Sequence, residues 1–418
     1  MKGLPRLYVS HDGYVMNKYW YMIRNPGIRL WNLSSEDRLR RVLKGLGFEY
    51  FLQDIQALPS TGSILLVRGD YLFDERILQV LGNEQNVIFR VTRNNQSIPV
   101  AAHVHTSLAP VVLDALTHEQ ASLLPEECRM MGLEDLSSGF SKRLKKSNAP
   151  YVLPIRSDNQ GKLEELLFSG SYKGVTDLVT KFLWPVPAKW VTHFCANHGI
   201  RPNHVTALSL IMAVAAGVLF FAGHLWLGLF LGWIMTFLDT VDGKLARVTI
   251  TSSWWGNIFD HGIDLIHPPL WYLAWGMGVA NFTPDWLGVS LETVITVIFV
   301  GYIVGRLVEG FWHLAITGFG IFLWRPFDSY FRLVTARRNP SLIILSVSLL
   351  LGRPDSGLEI VAAWTVVSTV ILLIRFLMGF IEKSKVGALK SWLAEIDPGK
   401  DRGSLSVRVF TNPPATAE

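Results

Sequence analysis

Asp239, Asp242, Asp260 and Asp264 are the residues of this 418-residue chain whose type and spacing could do chemistry. Asp239 and Asp242 are three apart, and Asp260 and Asp264 four apart, so on helices each pair shares one face. All four lie in or beside strongly apolar runs, where an ionisable side chain beside a membrane is expensive. Carboxylates brought this close repel one another unless cations neutralise them. Their hard oxygens suit Mg2+, Mn2+ or Ca2+, and two such ions can clamp the attacking and leaving oxygens of a phosphoryl transfer. Gly243 and Gly256 would let a nucleotide approach the helix backbones, and Arg247 is placed to neutralise a phosphate. The competing expectation is a cation pathway or a structural polar cluster, because intramembrane acids also line ion routes.

Six apolar segments must position these acids, at about 205–223, 226–246, 256–274, 294–313, 340–351 and 358–381. Most approach the roughly 20 residues that a bilayer core demands. The fifth is short, and either begins inside the preceding polar segment or is re-entrant. The second and third are antiparallel with a short connection, so their acidic faces can meet at one boundary. No Lys or Arg occurs at 223–224 or across 276–292. The opposite side carries Arg201, Lys244, Arg247, Arg325, Arg332, Arg337, Arg338, Lys383, Lys385 and Lys390, while Arg353 falls on the charge-poor side. This bias predicts that the acids and both termini face the cytoplasm, across an inner or plasma membrane if the source is bacterial. Arg332, Arg337 and Arg338 would form an anion pocket for a phosphate, or simply mark the cytoplasmic side. Arg306 and Glu309 are spaced to pair within the fourth segment. His261 and His267 suit hydrogen bonds around the acids better than ligation, and Pro268-Pro269 should kink the third segment.

Residues 1–170 alternate strand and helix patterns, which favours an α/β layer fold. Helices are expected at 35–44, with a capping serine, and at 73–81. Strands are expected at 64–67, 87–91 and 98–104. Asp70 ends one of these strands, where open α/β sheets bind ligands. Between 171 and 203, Phe182, Trp184, Trp190 and Phe194 mix with Lys173, Lys181 and Lys189, and Pro185 and Pro187 divide the stretch. That composition suits a segment lying in the membrane interface, or one packed against the preceding domain. Residues 204–385 would form the membrane bundle and 386–418 a cytoplasmic tail. The basic run 141–146 is either a solvated face or a lipid-headgroup contact.

Composition agrees with a soluble part joined to a membrane part. Half the residues are hydrophobic and the mean hydropathy is +0.29. The formal charge of +5 gathers beside apolar runs, which suits an anionic membrane surface rather than nucleic acid. Cys128 and Cys195 make neither a disulfide framework nor a metal site. Met1-Lys-Gly-Leu-Pro-Arg-Leu leads into His11, Asp12 and Lys18 without an apolar core, so no signal peptide is expected.

The pattern Asp239-x2-Asp242-Gly243-x2-Ala246-Arg247-x8-Gly256-x3-Asp260-x3-Asp264 resembles the signature of the CDP-alcohol phosphotransferase (CDP-alcohol phosphatidyltransferase) family, with every defined position filled. Arg201-Pro-Asn-His-Val-Thr206 is similar to the sequence opening that family's first span. The resemblance covers roughly 170–382. It implies six transmembrane helices, usually in a homodimer, and two divalent ions, Mg2+ or Mn2+. The implied reaction displaces CMP from a CDP-alcohol donor by an acceptor alcohol, as in phospholipid or head-group synthesis. By position, Asp239, Asp242, Asp260 and Asp264 would bind metal, and Asp264 would also be the general base. Gly243, Ala246, Arg247 and Gly256 would hold the CDP-alcohol. Residues 1–170 resemble a sugar-nucleotidyltransferase domain lacking its Gly-rich phosphate loop, so a degenerate domain is expected. Joined domains of these two kinds resemble enzymes that make a CDP-inositol and then transfer inositol phosphate. That likeness favours inositol-phosphate-type chemistry, with phosphatidyl transfer from CDP-diacylglycerol to a small polyol as the alternative. The fold expected is an α-helical integral membrane bundle preceded by a cytoplasmic α/β domain.

Overall fold

The computed structural model describes residues 18–93, 95–121, 124–136, 140–141, 144–252, 254–279, 288–396, 401 and 403–411, with the side chains of 254–261 outside that description. The chain divides into two compact units, the first from 1–139, 148–170 and 413–418, the second from 140–147 and 171–412.

The first unit runs β1 (Lys18–Ile23), α1 (Ser35–Lys44), β2 (Tyr50–Phe51), β3 (Ser63–Arg68), β4 (Tyr71–Phe73), α2 (Glu75–Asn83), β5 (Val87–Arg93), β6 (Gln96–His105), α3 (Ala109–His118), β7 (Arg129–Met131), β8 (Val152–Pro154) and α4 (Gln160–Gly170). Six strands make a mixed sheet in the order β2-β1-β3-β6-β5-β7. β1 pairs parallel with β2 and β3, β5 with β7, and β6 runs antiparallel to its neighbours. All six residues of β3 are buried, because layers cover both faces of this central strand. Alternate residues serve different layers. Leu65 and Val67 join Trp20, Phe48, Ile77 and Leu81, while Ile64 and Leu66 join Val104, Val112 and Leu116. The cap of α1 is Ser34 rather than Ser35, its side chain accepting from the Asp37 backbone N–H.

The second unit contains α5 (Pro185–Asn197), α6 (Pro202–Phe221), α7 (Leu225–Val248), α8 (Trp254–Gly278), α9 (Leu291–Phe311), α10 (Pro326–Val334), α11 (Arg338–Leu350), α12 (Pro354–Val386), α13 (Trp392–Glu395) and α14 (Leu405–Phe410). Among the described residues, Pro202–Phe221, Leu225–Val248, Leu291–Thr317 and Pro354–Val386 are long and apolar enough to cross a membrane. This unit is an integral membrane domain. The fifth expected segment is the 13-residue α11, only about 20 Å long at 1.5 Å per residue. Trp271 of α8 seats against Gly217 and Gly232, where an added Cβ would stand 3.4 Å from its ring. Those glycines let α6 and α7 close on α8.

Two segments depart from expectation or add to it. Among the described residues beyond 386, Trp392, Leu393, Val407 and Phe410 share a core with Trp324 and Phe331, and Trp392 Nε1 donates to Ser329 Oγ at 2.9 Å. On α5, Val186, Trp190 and Phe194 repeat every fourth residue and lie exposed, Trp190 at 75%. An apolar stripe of this kind suits a helix resting in the membrane interface.

Candidate active site

Asp239 and Asp242 occupy successive turns near the end of α7, and Asp264 lies midway along α8. The first residue of α11 joins them. Arg338 donates from Nη2 to Asp239 Oδ2 at 2.5 Å and from Nη1 to Asp264 Oδ1 at 2.6 Å. Its guanidinium is a cation shared by carboxylates on two helices, the neutralisation that clustered acids require.

Asp242 is 4% exposed and lies within electrostatic reach of both other acids. Thr206 Oγ1, on the first turns of α6, donates to Asp242 Oδ2 at 2.6 Å. The threonine of the Pro-Asn-His-Val-Thr stretch therefore orients a carboxylate of the acid cluster. A hydrogen bond to a charged group contributes about 1.5–3 kcal/mol. Thr206→Val, which keeps the shape and removes the donor, is expected to cut turnover about tenfold or more while membrane insertion is unchanged. Parallel CMP-release and expression measurements check this, and unchanged turnover would dismiss the role.

Tyr302 of α9 is a residue that sequence analysis missed. Pro268 and Pro269 lie inside α8, and lacking N–H groups they leave the carbonyls four residues earlier, Asp264 and Leu265, without helical donors. Tyr302 Oη lies 3.3 Å from the Asp264 carbonyl and 3.1 Å from that of Leu265, donating toward both. The proline pair was the signal: two orphaned carbonyls require a donor from a neighbouring helix. The helix continues past both prolines.

Gly243 and Arg247 lie one turn apart on α7. A Cβ on Gly243 would meet Arg247 Nη2 at 3.4 Å, and Arg247 Nη1 donates to the Ser171 carbonyl at 3.1 Å. Ala246 is half-buried beside them. Lys244, counted from sequence only as a topology charge, is 4% exposed with its ammonium 3.5 Å from the Tyr172 ring centroid, and Arg247, Lys173 and Lys146 lie within its electrostatic reach. The side chains of Asp260 and His261, and the surroundings of Gly256, lie outside the described residues. His267 bonds through Nδ1 to the Ile263 carbonyl and touches no carboxylate among the described residues.

The three arginines expected to form one anion pocket do not share it. Arg338 is bound to the acids, because two carboxylates outcompete any arrangement that leaves it exposed. Arg337 is hydrogen-bonded to Glu309, with Arg306 3.6 Å from the same carboxylate. Arg332 faces Phe322 at 5.6 Å, and Arg337 faces the same ring at 5.3 Å. A small cleft between α9 and α12 is lined in part by Tyr302, Arg306, Glu309, Arg337 and Ser368.

In the first unit, Asp70 is held by Arg68 through Nε at 2.9 Å and Nη2 at 2.5 Å. Arg68, 2% exposed, also donates to Glu119 at 2.8 Å. A cation of the chain itself neutralises the carboxylate where a bound metal would do so.

The donor set of the second unit suits a hard divalent cation, and Arg338 already marks a cation position between Asp239 and Asp264. Among the described residues no three acidic, His or Cys side chains gather around one point.

Residues 200–373 match the model of the CDP-alcohol phosphatidyltransferase family. Human cholinephosphotransferase 1 is 27% identical over 150 residues, covering 32% of this chain and 34% of that protein. The chain thus spans about a third of the length of this curated relative.

Proposed function

We propose, from the premise that residues 200–373 form a CDP-alcohol phosphatidyltransferase domain, that the chain transfers a substituted phosphate from a CDP-alcohol to an acceptor alcohol and releases CMP. The observation that carries this is Arg338 bridging Asp239 and Asp264, with Asp242 within electrostatic reach of both and Arg247 folded over Gly243. Asp239, Asp242 and Asp260 would hold the divalent ions, with Asp264 sharing in the binding. When bound, Mg2+ or Mn2+ would offset the charge of the diphosphate and of the departing CMP. Arg247, with Lys244, Lys173 and Lys146 close by, orients the diphosphate. Gly243, Ala246 and Gly256 leave room for the nucleotide.

Asp264 accepts the proton of the attacking hydroxyl. Its side chain is 42% exposed against 18% for Asp239, and a base must be open to the group it deprotonates. Transfer of an inositol-phosphate-type group is the first specificity proposed, and the basic residues around the cleft equally suit phosphatidyl transfer to a polyol phosphate. The name of the human relative points to phosphocholine transfer in that protein, which adds a choline donor to those worth testing.

The proposed setting is a homodimer with six spans per chain; the Lys and Arg bias supports placing the acids and termini on the cytoplasmic side. In this arrangement the first unit is a degenerate nucleotidyltransferase-like domain, consistent with Asp70 being neutralised by Arg68. Membranes containing the protein are incubated with a panel of CDP-alcohols and Mg2+, and CMP is measured. Acceptor-dependent CMP release from at least one donor is expected. Its absence from every donor, with the protein folded, would favour a scaffold or cation pathway.

A further inference from the structure

Ser171 follows α4 and opens the main part of the second unit, and residues 171–177 lie outside the matched span 200–373. This short strap meets α7 at the turn that carries Gly243 and Arg247. The Ser171 carbonyl accepts from Arg247 Nη1 at 3.1 Å, and the Lys244 ammonium stands 3.5 Å from the centroid of the Tyr172 ring. Lys244 is 4% exposed. Arg247, Lys173 and Lys146 repel its charge, and Asp239 is the acid that attracts it. A buried ammonium beside other cations needs compensating negative charge. The negative face of an aromatic ring supplies part of it, and that attraction grows as water is excluded. The ring has no net charge, so the cluster keeps an excess of positive charge for an anion to offset.

The ring is held in place from its other side. The Gly174 N–H donates to the Leu144 carbonyl at 2.9 Å, where the strap crosses the hairpin that pairs Phe140 with Ser147 and Ser141 with Lys146. A Cβ on Gly174 would lie 2.6 Å from the Lys145 carbonyl and 2.5 Å from that of Phe410, so only glycine permits this crossing. Lys181 Nζ donates to the Gly174 carbonyl at 2.7 Å. Further along, the buried Asp177 accepts from the Thr180 N–H at 3.0 Å and from Asn339 Nδ2 of α11 at 2.9 Å. Anchored on the hairpin and on α11, the strap sets Tyr172 against Lys244 without help from a ligand. A flexible lysine stem fixed in this way loses less freedom when an anion arrives.

We infer that Tyr172 is a positioning residue for the donor: its ring holds Lys244 in place, beside Arg247, for the diphosphate of the CDP-alcohol, so that a segment outside residues 200–373 completes the donor site. Naming the diphosphate rests on the transferase function proposed above; the hold of the ring on the ammonium does not.

CDP with Mg2+ is the probe, because it carries the nucleotide and diphosphate of the donor and needs no turnover. Equilibrium binding to the full-length protein in detergent should weaken about tenfold in Tyr172→Leu, a change of about 1.4 kcal/mol, and at least as much in Lys244→Met. Tyr172→Phe, which keeps the ring face, should restore wild-type affinity. The double variant Tyr172→Leu with Lys244→Met should bind no more weakly than Lys244→Met alone, the mark of two residues acting as one. Fluorinated phenylalanine incorporated at position 172 keeps the shape of the ring and cancels its negative face, so it should reproduce the loss even where Tyr172→Leu does not fold. Additive losses in the double variant, full affinity with the fluorinated ring, or a tenfold loss in Tyr172→Phe would each overturn the role. In CMP-release assays Tyr172→Leu should raise the donor KM about tenfold and leave the acceptor KM unmoved; equal rises in both would make the strap merely structural and overturn it. CMP release by the wild type, with CDP affinity indifferent to Tyr172, would overturn the strap and leave the transferase function standing. No CMP release with any donor, with CDP binding still dependent on Tyr172, would count against the transferase function and leave the strap standing.

Discussion

Asp264→Asn is expected to lower the rate of transfer about 100- to 10,000-fold, the range of a lost general base, while leaving CDP-alcohol binding largely intact. Asn keeps the shape of the side chain and removes its ability to take a proton. Donor binding should survive because the proposed ligands Asp239, Asp242 and Asp260 remain, and because Arg247 and Gly243, proposed to hold the donor, belong to another helix. The carboxylate is 42% exposed and accepts from Arg338 through Oδ1. Donor affinity from equilibrium binding, set beside single-turnover CMP release, separates the two effects. Near-normal turnover would remove Asp264 from the base role, and equal losses of binding and turnover would make it chiefly a ligand.

Arg338→Leu should produce the largest change in stability, and one that depends on divalent ions. Removing one partner of a buried ion pair costs about 3–5 kcal/mol, because the remaining charge is left uncompensated. Asp239, at 18% exposure, should carry most of this; the more exposed Asp264 is screened by solvent. In EDTA the variant should therefore unfold at a distinctly lower temperature than the wild type. Added Mg2+ or Mn2+ replaces the missing charge, so the ion should stabilise the variant more than the wild type. A titration of unfolding temperature against ion concentration reads this out without any enzyme assay. Equal stabilisation of both proteins would mean that Arg338 and the ions do not share the same carboxylates.

The chemistry-bearing acids were legible because helical spacing is a local property. Three and four residues apart, each pair had to share a face, and the apolar runs around them had to be helices. The observed bounds Pro202–Phe221 and Leu225–Val248 lie close to those expected at 205–223 and 226–246. What stabilises the cluster was not legible, because its partners are distant in sequence. Arg338 lies 99 and 74 positions from the two acids it joins, and Thr206 lies 36 from Asp242. Arginines near the start of an apolar segment look alike to a rule that counts charges, and only packing separates Arg338 from Arg337 and Arg332. The same holds for Lys145, whose basic run resembles a solvated surface until the Gly174 crossing draws it inward. Trp392 and Phe410 appeared to belong to a tail for a similar reason: short helices have weak periodicity, and their burial depends on Trp324 and Tyr330 elsewhere in the chain.

The most direct measurement is Mg2+-dependent CMP release from a CDP-alcohol by purified wild type, Asp239→Asn and Asp242→Asn in lipid vesicles. Acceptor-dependent release by the wild type, abolished by EDTA and reduced at least 100-fold in both variants, is the predicted result, because in the proposed site these carboxylates would hold the ion that offsets the charge of the departing CMP. Undiminished release in either variant, or release insensitive to EDTA, would contradict a catalytic centre built on these carboxylates.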